Sequence, residues 1–180
     1  MKKSNKTKYA ILGILNNNPS SGYDIKKFCD ENISYFWNEN YGHIYPTLRM
    51  LAEEEFVEIL DPEPDSKKIR YAITEKGRAE LRTWLLAETE LQPARSEFML
   101  KFLFSSDLPH DQARTMLDEY RMIHEKKLAM YRAMERSLKA GIAEISNKRS
   151  FYLDSVLQCG IIACEGMIRW CSETSERLGK

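Results

Sequence analysis

The stretch from residue 41 to residue 60 constrains the fold of this chain more than any other part of the sequence. It reads YGHIYPTLRMLAEEEFVEIL. Ile44, Leu48 and Leu51 recur at the i, i+4 and i+7 spacing of one buried helical stripe. Three glutamates end the helical pattern, and a short segment with strand propensity, VEIL, follows at 57–60. The pattern therefore predicts a helix that packs on a core through one side and then leads into a strand.

A second strand and a helix cap follow closely. Residues 61–66 read DPEPDS, which is turn composition, and residues 67–73 alternate basic and apolar side chains as a half-buried strand does. Thr74 is a suitable N-cap for a further helix. A helix followed by a two-stranded ribbon with a basic tip is the layout of a winged helix-turn-helix, which places a helix in the DNA major groove and a wing beside it.

Pro46 bears on where the helix begins. A proline is tolerated in the first turn of a helix, so Pro46 predicts a start near Tyr41 or Gly42. Several side chains lie off the apolar stripe and are predicted to face outward, toward a nucleic acid: Tyr41, His43, Tyr45, Thr47 and Arg49. Three basic residues of the wing join them as candidate DNA contacts: Lys67, Lys68 and Arg70.

Structural roles remain open beside these functional ones. His43 fits a solvated surface position equally well, and Arg49 is spaced to pair with Glu53 one turn later. Tyr45 borders the buried stripe and fits a packing role beneath the helix. Lysines in a turn are often simply solvated.

Charge is balanced along the chain. The whole sequence has 27 Lys and Arg and 27 Asp and Glu, and residues 1–92 have 13 basic and 15 acidic side chains, a net of −2. A DNA-binding surface in this half must therefore be a local patch rather than part of a basic domain. It would draw on the candidate contacts above and on the lysines of the N-terminal tail, with Glu53, Glu54 and Glu55 pointing away: Lys2, Lys3, Lys6 and Lys8.

The chain is predicted to be mostly α with a small β-hairpin. Pro93 divides it into a winged helix-turn-helix domain, 1–92, and a helical domain, 93–180. Helix 2, predicted over 22–32, offers Tyr23, Ile25 and Phe28 to the core. The remaining helices are predicted over 7–17, 41–55, 74–90, 96–104, 108–147 and 151–177.

The last predicted helix has an apolar face wider than one helical partner needs. We expect this face to form a homodimer interface between two copies of the helix. A purely intrachain core is the alternative. The residues assigned to the interface are Leu153, Val156, Leu157, Gly160, Ile161, Cys164, Met167 and Ile168.

Several function classes are disfavoured. No apolar run approaches the roughly 18 to 20 residues that span a bilayer, and the N-terminus lacks a signal-peptide cleavage site, so a cytoplasmic protein without a membrane partner is expected. The four cysteines form no CxxC pair and predict buried thiols rather than a metal site. No nucleophile elbow, glycine-rich phosphate loop or HExxH motif indicates an enzyme, and no cofactor is expected. Four aromatic side chains fit either the core or a pocket for a small aromatic or drug-like effector: Tyr35, Phe36, Trp37 and Trp84.

Three segments together resemble the PadR family of bacterial transcriptional regulators: ILGILNNNPSSGYDIKKF, YGHIYPTLRMLAEEEFVE and KKIRYAITEKGRAELRTWL. The pattern covers about residues 9–85. Its hallmarks are Gly22-Tyr23, Tyr41-Gly42 with Ile44-Tyr45-Pro46, Leu51 with Glu53 and Glu54, and Tyr71 with Thr74, Lys76 and Gly77. The second half, SEFMLKFLF followed by two long helices, looks like the longer-tailed subgroup related to virulence activators.

The resemblance implies a homodimeric winged-helix regulator that binds a palindromic double-stranded DNA operator. It implies a recognition helix over 41–55, a wing tip at 66–68 and a C-terminal helical domain for dimerisation, sometimes with an effector site. A repressor of a nearby gene, relieved by a small molecule, is the expected function. An activator without an effector and a winged-helix protein-interaction module are the alternatives.

Overall fold

The computed structural model describes residues 5–34, 36–60, 68–90, 95–141 and 147–178, with the side chains of 141 and 147–149 left aside. Several residues named above therefore lie outside the described residues: Lys2, Lys3, Tyr35, the turn 61–66, Lys67 and Pro93. The chain divides into two compact units, Met1–Glu90 and Leu91–Lys180.

The first unit combines four helices with a small antiparallel sheet. In chain order its elements are α1 (Lys6–Leu15), β1 (Ser20–Ser21), α2 (Gly22–Phe28), a π-helical turn (Cys29–Ile33), α3 (Tyr41–Glu53), β2 (Val57–Leu60), β3 (Arg70–Ile73) and α4 (Glu75–Leu86). The expected mostly α fold with a winged-helix layout is confirmed. The predicted hairpin is instead part of a three-stranded sheet ordered β1-β3-β2.

The additional strand, β1, lies between the predicted helices 7–17 and 22–32, where no strand was predicted. Ser20 pairs with Tyr71 and Ser21 with Arg70. Two serines show no alternation of apolar and polar residues, so a strand this short gives no sequence signal. This strand forms only because the folded chain brings residues 20 and 21 beside β3, about 50 residues later in the sequence.

The core of the first unit is the buried side of its helices α1, α2, α3 and α4 and of the sheet. α3 contributes Ile44, Leu48 and Leu51, each at 0% exposure, as the helical spacing predicted. Burial of one such side chain contributes about 1.5–3 kcal/mol. α1, α2, the sheet and α4 supply the other apolar members: Ile11, Leu12, Ile14, Leu15, Ile25, Cys29, Val57, Tyr71, Ile73 and Leu81.

Side-chain caps fix where the helices begin. Ser21 accepts a hydrogen bond from the Asp24 backbone N–H, and the Asp24 carboxylate accepts from the Ser21 backbone N–H, which completes a capping box at α2. The Asn40 side chain accepts from the His43 backbone N–H at α3. Thr74 caps α4 by accepting from the Gly77 backbone N–H. These are residue types that the sequence itself marks as helix starts.

The second unit contains α5 (Glu97–Leu103), a 3₁₀ turn (Ser105–Asp107), α6 (His110–Gly141) and α7 (Asn147–Arg177). Arg132 lies 2.7 Å from Glu165, and Gln158 lies 2.9 Å from Glu135, so α6 and α7 pack antiparallel. α5 packs through Phe98, whose ring stacks on Tyr120 with centroids 3.7 Å apart.

The apolar surface of α7 proves to be two faces rather than one wide face. Leu157, Ile161 and Cys164 are buried within the unit, and Gly160 approaches the Tyr131 ring of α6, since a Cβ there would lie 3.1 Å from it. Half-buried neighbours complete this side: Leu153, Met167 and Ile168. Their assignment to a dimer interface is therefore wrong for the buried members, because the 3.6-residue period turns them toward α6.

The other face of α7 is exposed yet also apolar. Its exposed side chains are Tyr152, Val156, Cys159, Ile162 and Ala163, and the space over Gly166 is open. Val156, at 42%, is thus the one assigned interface residue that is exposed. A helix that is apolar on both sides meets a second partner or leaves apolar area in water.

Length and composition alone would let α7 cross a membrane, because an 18-residue window within Ser150–Arg177 has a mean hydropathy of 1.3. One such helix is weak evidence, since helices of a protein core can pass the same criterion. Here Glu165 of α7 is engaged by Arg132, and Gln158 by Glu135. These polar contacts along its length fit a helix packed in a protein unit.

Candidate nucleic-acid interface

The exposed side of α3 is opposite its buried stripe. Tyr41, His43, Tyr45 and Arg49 are all exposed, as predicted. The helix begins directly after its cap residue, Asn40, and ends at Glu53. These four side chains therefore lie within its first two and a half turns. Tyr41, Tyr45 and Arg49 recur at i, i+4 and i+8 and form one surface on a rigid helix, which suits recognition in a groove, whereas His43 lies on the other flank of the exposed side.

Thr47 is not part of that surface. It is 5% exposed, and its hydroxyl lies 3.4 Å from the Asn5 side-chain nitrogen. Residues 44, 47, 48 and 51 form one i, i+3, i+4, i+7 stripe, so the prediction that Thr47 faces DNA is wrong. The helical spacing alone would have predicted that Thr47 is buried, but its polar hydroxyl favoured the prediction of an outward-facing side chain.

Pro46 also has a different role from the one predicted. It lies in the second turn of α3, five residues after the first helical residue. Asn40, rather than the proline, fixes the helix start by its cap. The proline has no N–H to donate to the Gly42 carbonyl, which water can reach because Gly42 is exposed.

Three tyrosines extend the α3 surface onto α2. The rings of Tyr41 and Tyr45 stack with centroids 5.9 Å apart. The Tyr45 ring also lies on Gly22, where a Cβ would come within 2.6 Å of it. Tyr45 therefore packs against the start of α2 and is 42% exposed at the same time. Tyr23 was predicted to be a core residue but is 51% exposed, because the capping box turns Gly22 rather than Tyr23 inward.

Lysines lie beside these rings. Lys26 is 5.8 Å from the centroid of Tyr41, and Lys68 is 5.0 Å from that of Tyr23. Cations near aromatic faces are held by about 0.5–1 kcal/mol at exposed sites. Lys26 is also paired with Asp30, and its side chain is 17% exposed. α2, α3 and the wing strand therefore contribute to one surface, the tyrosine–lysine face: Tyr23, Lys26, Tyr41, Tyr45 and Lys68.

Arg70 and Arg49 differ in their surroundings. The Arg70 guanidinium donates to the Pro19 carbonyl at 3.0 Å, so it holds the chain before β1 against β3. Arg49 forms no hydrogen bond or ion pair with any residue that the model describes, and the pairing with Glu53 that its spacing allows is not made. Its charge stays available to a ligand.

The acidic groups near this face are partly compensated. A hydrogen bond from Ser21 lowers the pKa of Asp24, and the positive charges of Lys68 and Arg70 lower it further. Glu53, Glu54 and Glu55 are exposed at the far end of α3. They lie at the C-terminal end of the helix, away from the tyrosines at its N-terminal end, as a DNA surface requires.

Two tail lysines serve the fold instead. Lys8 lies 2.9 Å from Glu80, and Lys6 lies 3.3 Å from Glu90. The hydrogen bond from Lys8 is the main cause of the lowered pKa of Glu80. Both lysines pair with acidic groups on or after α4, and their contribution to a DNA-binding surface stays a prediction.

The family hallmark around Thr74 is structural. The Thr74 hydroxyl donates to the Glu55 carbonyl at 2.8 Å, and the Lys76 ammonium donates to the Glu54 carbonyl, also at 2.8 Å. Gly77 lies so close to β2 that a Cβ would come within 2.2 Å of the Phe56 carbonyl oxygen. These residues join α4 to the C-terminus of α3 and so fix the recognition helix from behind.

The aromatic residues proposed for an effector pocket divide between contacts. Trp84 stacks on Tyr9 with centroids 4.5 Å apart, and it lines a cavity of about 330 Å³ with Lys6 and residues 85 and 87–90. Trp37 donates to Glu39, and Phe36 is exposed. Among the described residues, no group of three or more His, Cys, Asp or Glu is placed to hold a metal ion.

Comparison with known proteins agrees with this architecture. Residues 11–83 match the PadR-like family of transcriptional regulators, and residues 94–179 match the virulence activator alpha C-terminal domain. The negative transcriptional regulator PadR of Bacillus subtilis is 32% identical over 142 residues, which cover 77% of this chain and 78% of that protein.

Solved structures of the same Bacillus subtilis protein have the same fold. Its complex with operator DNA has a TM-score of 0.83 at 29% identity, over 95% of this chain and 98% of that chain. Its complex with p-coumaric acid has a TM-score of 0.86 at 27% identity, over 100% and 99%. Identity and coverage at this level, together with matches in both halves, show that the chain belongs to the PadR-like family of transcriptional regulators.

Proposed function

We propose that this protein is a cytoplasmic, homodimeric repressor that binds a palindromic operator near its own gene and is released by a small aromatic effector. The observation that carries the proposal is the tyrosine–lysine face, whose tyrosines are exposed on two capped helices of a chain that has the fold of Bacillus subtilis PadR in complex with operator DNA. The proposed mode of action is DNA binding and involves no catalytic step.

On this proposal, α3 enters the major groove with Tyr41, His43, Tyr45 and Arg49 toward the DNA. Tyrosine hydroxyls and the guanidinium can reach base edges or phosphates, and each good base contact discriminates by about 1–3 kcal/mol. Lys68, together with Lys67 of the wing, contacts phosphate and releases counterions. Arg70 acts behind them by holding β3 to the chain before β1.

The structure adds Tyr23 and Lys26 of α2 to the proposed contact set. Both belong to the tyrosine–lysine face through Lys68 and Tyr41. The first helix of a helix-turn-helix, here α2, crosses the DNA backbone, so phosphate is the expected target of these two side chains.

The proposed dimer forms through the exposed apolar face of α7. Tyr152, Val156, Cys159 and Ile162 lie on that face and have no covering element among the described residues. A second copy related by a twofold axis would present the same face, which satisfies the self-complementarity of an isologous interface. Two recognition helices would then meet half-sites about one helical turn apart, or a multiple of it.

Repression is favoured over activation by the Bacillus subtilis relative, which is named a negative regulator. Activation is the second candidate, because residues 94–179 match a domain named for virulence activators. The proposed effector class rests on the p-coumaric acid complex of the same relative. An effector acts only as far as its affinity differs between the DNA-binding and released states.

The test is a footprint and a fluorescence-anisotropy titration on the promoter region of the protein's own gene and its neighbours. Arg49→Ala should weaken binding about tenfold and reduce the slope of log K against log salt by about one. Arg82→Ala removes an equally exposed arginine from α4 and should leave both unchanged. No binding at low salt would favour the protein-interaction alternative, and equal losses in both variants would reject the assigned face.

A further inference from the structure

Glu39, the residue before the cap of α3, is a buried carboxylate. Its side chain is 3% exposed. One oxygen, Oε1, accepts a hydrogen bond from the Thr7 hydroxyl at 2.9 Å and another from the Trp37 indole N–H at 2.7 Å. Glu39 thereby ties α1 and the loop before α3 to the start of the recognition helix.

The second carboxylate oxygen has no hydrogen-bond partner. Glu39 Oε2 is fully buried, and the Nδ1 of His43 lies 3.6 Å away from it. A buried charged oxygen without a hydrogen-bond partner destabilises the folded state. His43 lies in the first turn of α3 with 63% of its side chain exposed, so its ring lies between the buried carboxylate and the solvent at the end of α3 that is proposed to meet DNA.

The other charged groups around Glu39 do not compensate it. α1 offers Thr7, while the neighbouring Lys6 and Lys8 pair with Glu90 and Glu80. On the α2 side, Lys26 pairs with Asp30. The negative charge is felt there, because burial together with Glu39 and Asp30 raises the pKa of Cys29 to about 11.

We infer that Glu39 is a positioning residue for the recognition helix and that His43 gains a proton when the protein binds DNA. This inference rests on the proposed DNA-binding function. A proton on His43 turns the 3.6 Å approach into a charge-assisted hydrogen bond to Oε2 and places a positive charge beside phosphate. DNA also removes water from the site and strengthens both attractions. Operator affinity should therefore rise as the pH falls through the range in which histidines ordinarily titrate.

The experiment measures operator affinity from pH 5.5 to 8.5 at constant salt with the full-length protein. For the wild type, log Kd should increase with pH at a slope approaching about one per protomer, which is the linkage limit for one proton. His43→Gln should flatten the slope. His110→Gln, which changes an exposed histidine of the second unit, should keep it.

Glu39→Gln separates this mechanism from a direct contact between His43 and phosphate. The amide keeps an acceptor for Thr7 and Trp37 but removes the buried charge, so the slope should fall below about half of the wild-type value. A full slope in a folded Glu39→Gln protein would overturn the role of Glu39. If that variant does not fold, as judged by circular dichroism, a pH-dependent wild type with a flat His43→Gln still carries the proton assignment, and a slope retained in His43→Gln overturns it. Failure of the wild-type protein to bind DNA at any pH would count against the proposed function instead.

Discussion

Replacing Gly77 by alanine should destabilise the first unit severely, because the added methyl group meets rigid backbone. The new Cβ would lie 2.2 Å from the Phe56 carbonyl oxygen and 2.8 Å from Ile73 Cγ1. Neither group can swing aside, since Phe56 O accepts hydrogen bonds from the Thr74 backbone and hydroxyl and Ile73 is a core residue. Overpacking typically costs about 1–3 kcal/mol, and a backbone clash places this one at about 3 kcal/mol.

Gly13 provides a matched control. It also lies within a helix, α1, but a Cβ there meets no atom within 4 Å. The same substitution at Gly13 should therefore stabilise the protein by about 0.5–1 kcal/mol through helix propensity alone.

Urea unfolding followed by far-ultraviolet circular dichroism, at one protein concentration for all variants, compares the two substitutions with the wild type. The reasoning predicts midpoints in the order Gly13→Ala, wild type, Gly77→Ala. A Gly77→Ala midpoint equal to that of the wild type would refute the close approach of α4 to β2. Equal losses at both glycines would show that helix context, and not the neighbouring backbone, decides the outcome.

Three further outcomes are expected. Glu55 closes α3 at φ 59, where the Phe56 N–H bonds the Leu51 carbonyl, so Glu55→Gly should raise the unfolding free energy by about 1 kcal/mol; an unchanged urea midpoint would contradict strain there. Hydrogen bonds from Lys139, Arg132 and Gln158 lower the pKa of Glu135 to about 2, below its ordinary 4.5. The ionised Glu135 therefore stabilises the second unit fully above about pH 4.5, and this stabilisation is lost as the pH falls through about 2. In acid unfolding, Glu135→Gln should show a flatter pH dependence than the wild type. Ile162→Glu should give a monomer in sedimentation experiments while Ala79→Glu, an exposed site in the first unit, stays dimeric; a dimer in both would move the interface off the exposed face of α7.

The recognition helix shows where sequence patterns suffice. Ile44, Leu48 and Leu51 were predicted to be buried, and they are, because apolar side chains at helical spacing have one favourable location. Asn40 and Thr74 cap helices because their side chains can accept from backbone N–H groups in their own next turn. These interactions are local, so the order of residues is enough to specify them.

Residues of α3 and α2 show where sequence patterns are not sufficient. Thr47 was assigned to the surface by its hydroxyl, but neighbouring elements bury its position. Tyr23 was assigned to the core by its ring, but the capping box of α2 turns it outward. Residue type gives a preference for burial, whereas the direction of a side chain depends on which element packs where.

The sequence by itself determined the helices, their caps, the apolar stripes and the family pattern that links residues 9–85 to DNA-binding regulators. Only the tertiary structure decided that the Tyr45 ring packs on Gly22, that Lys8 pairs with Glu80, and that α7 packs one apolar face on α6 and leaves the other exposed. The physical reason is range: helix formation and capping depend on neighbours within four residues. Pairing of charges, rings and faces across the chain depends on distances that exist only once the chain has folded.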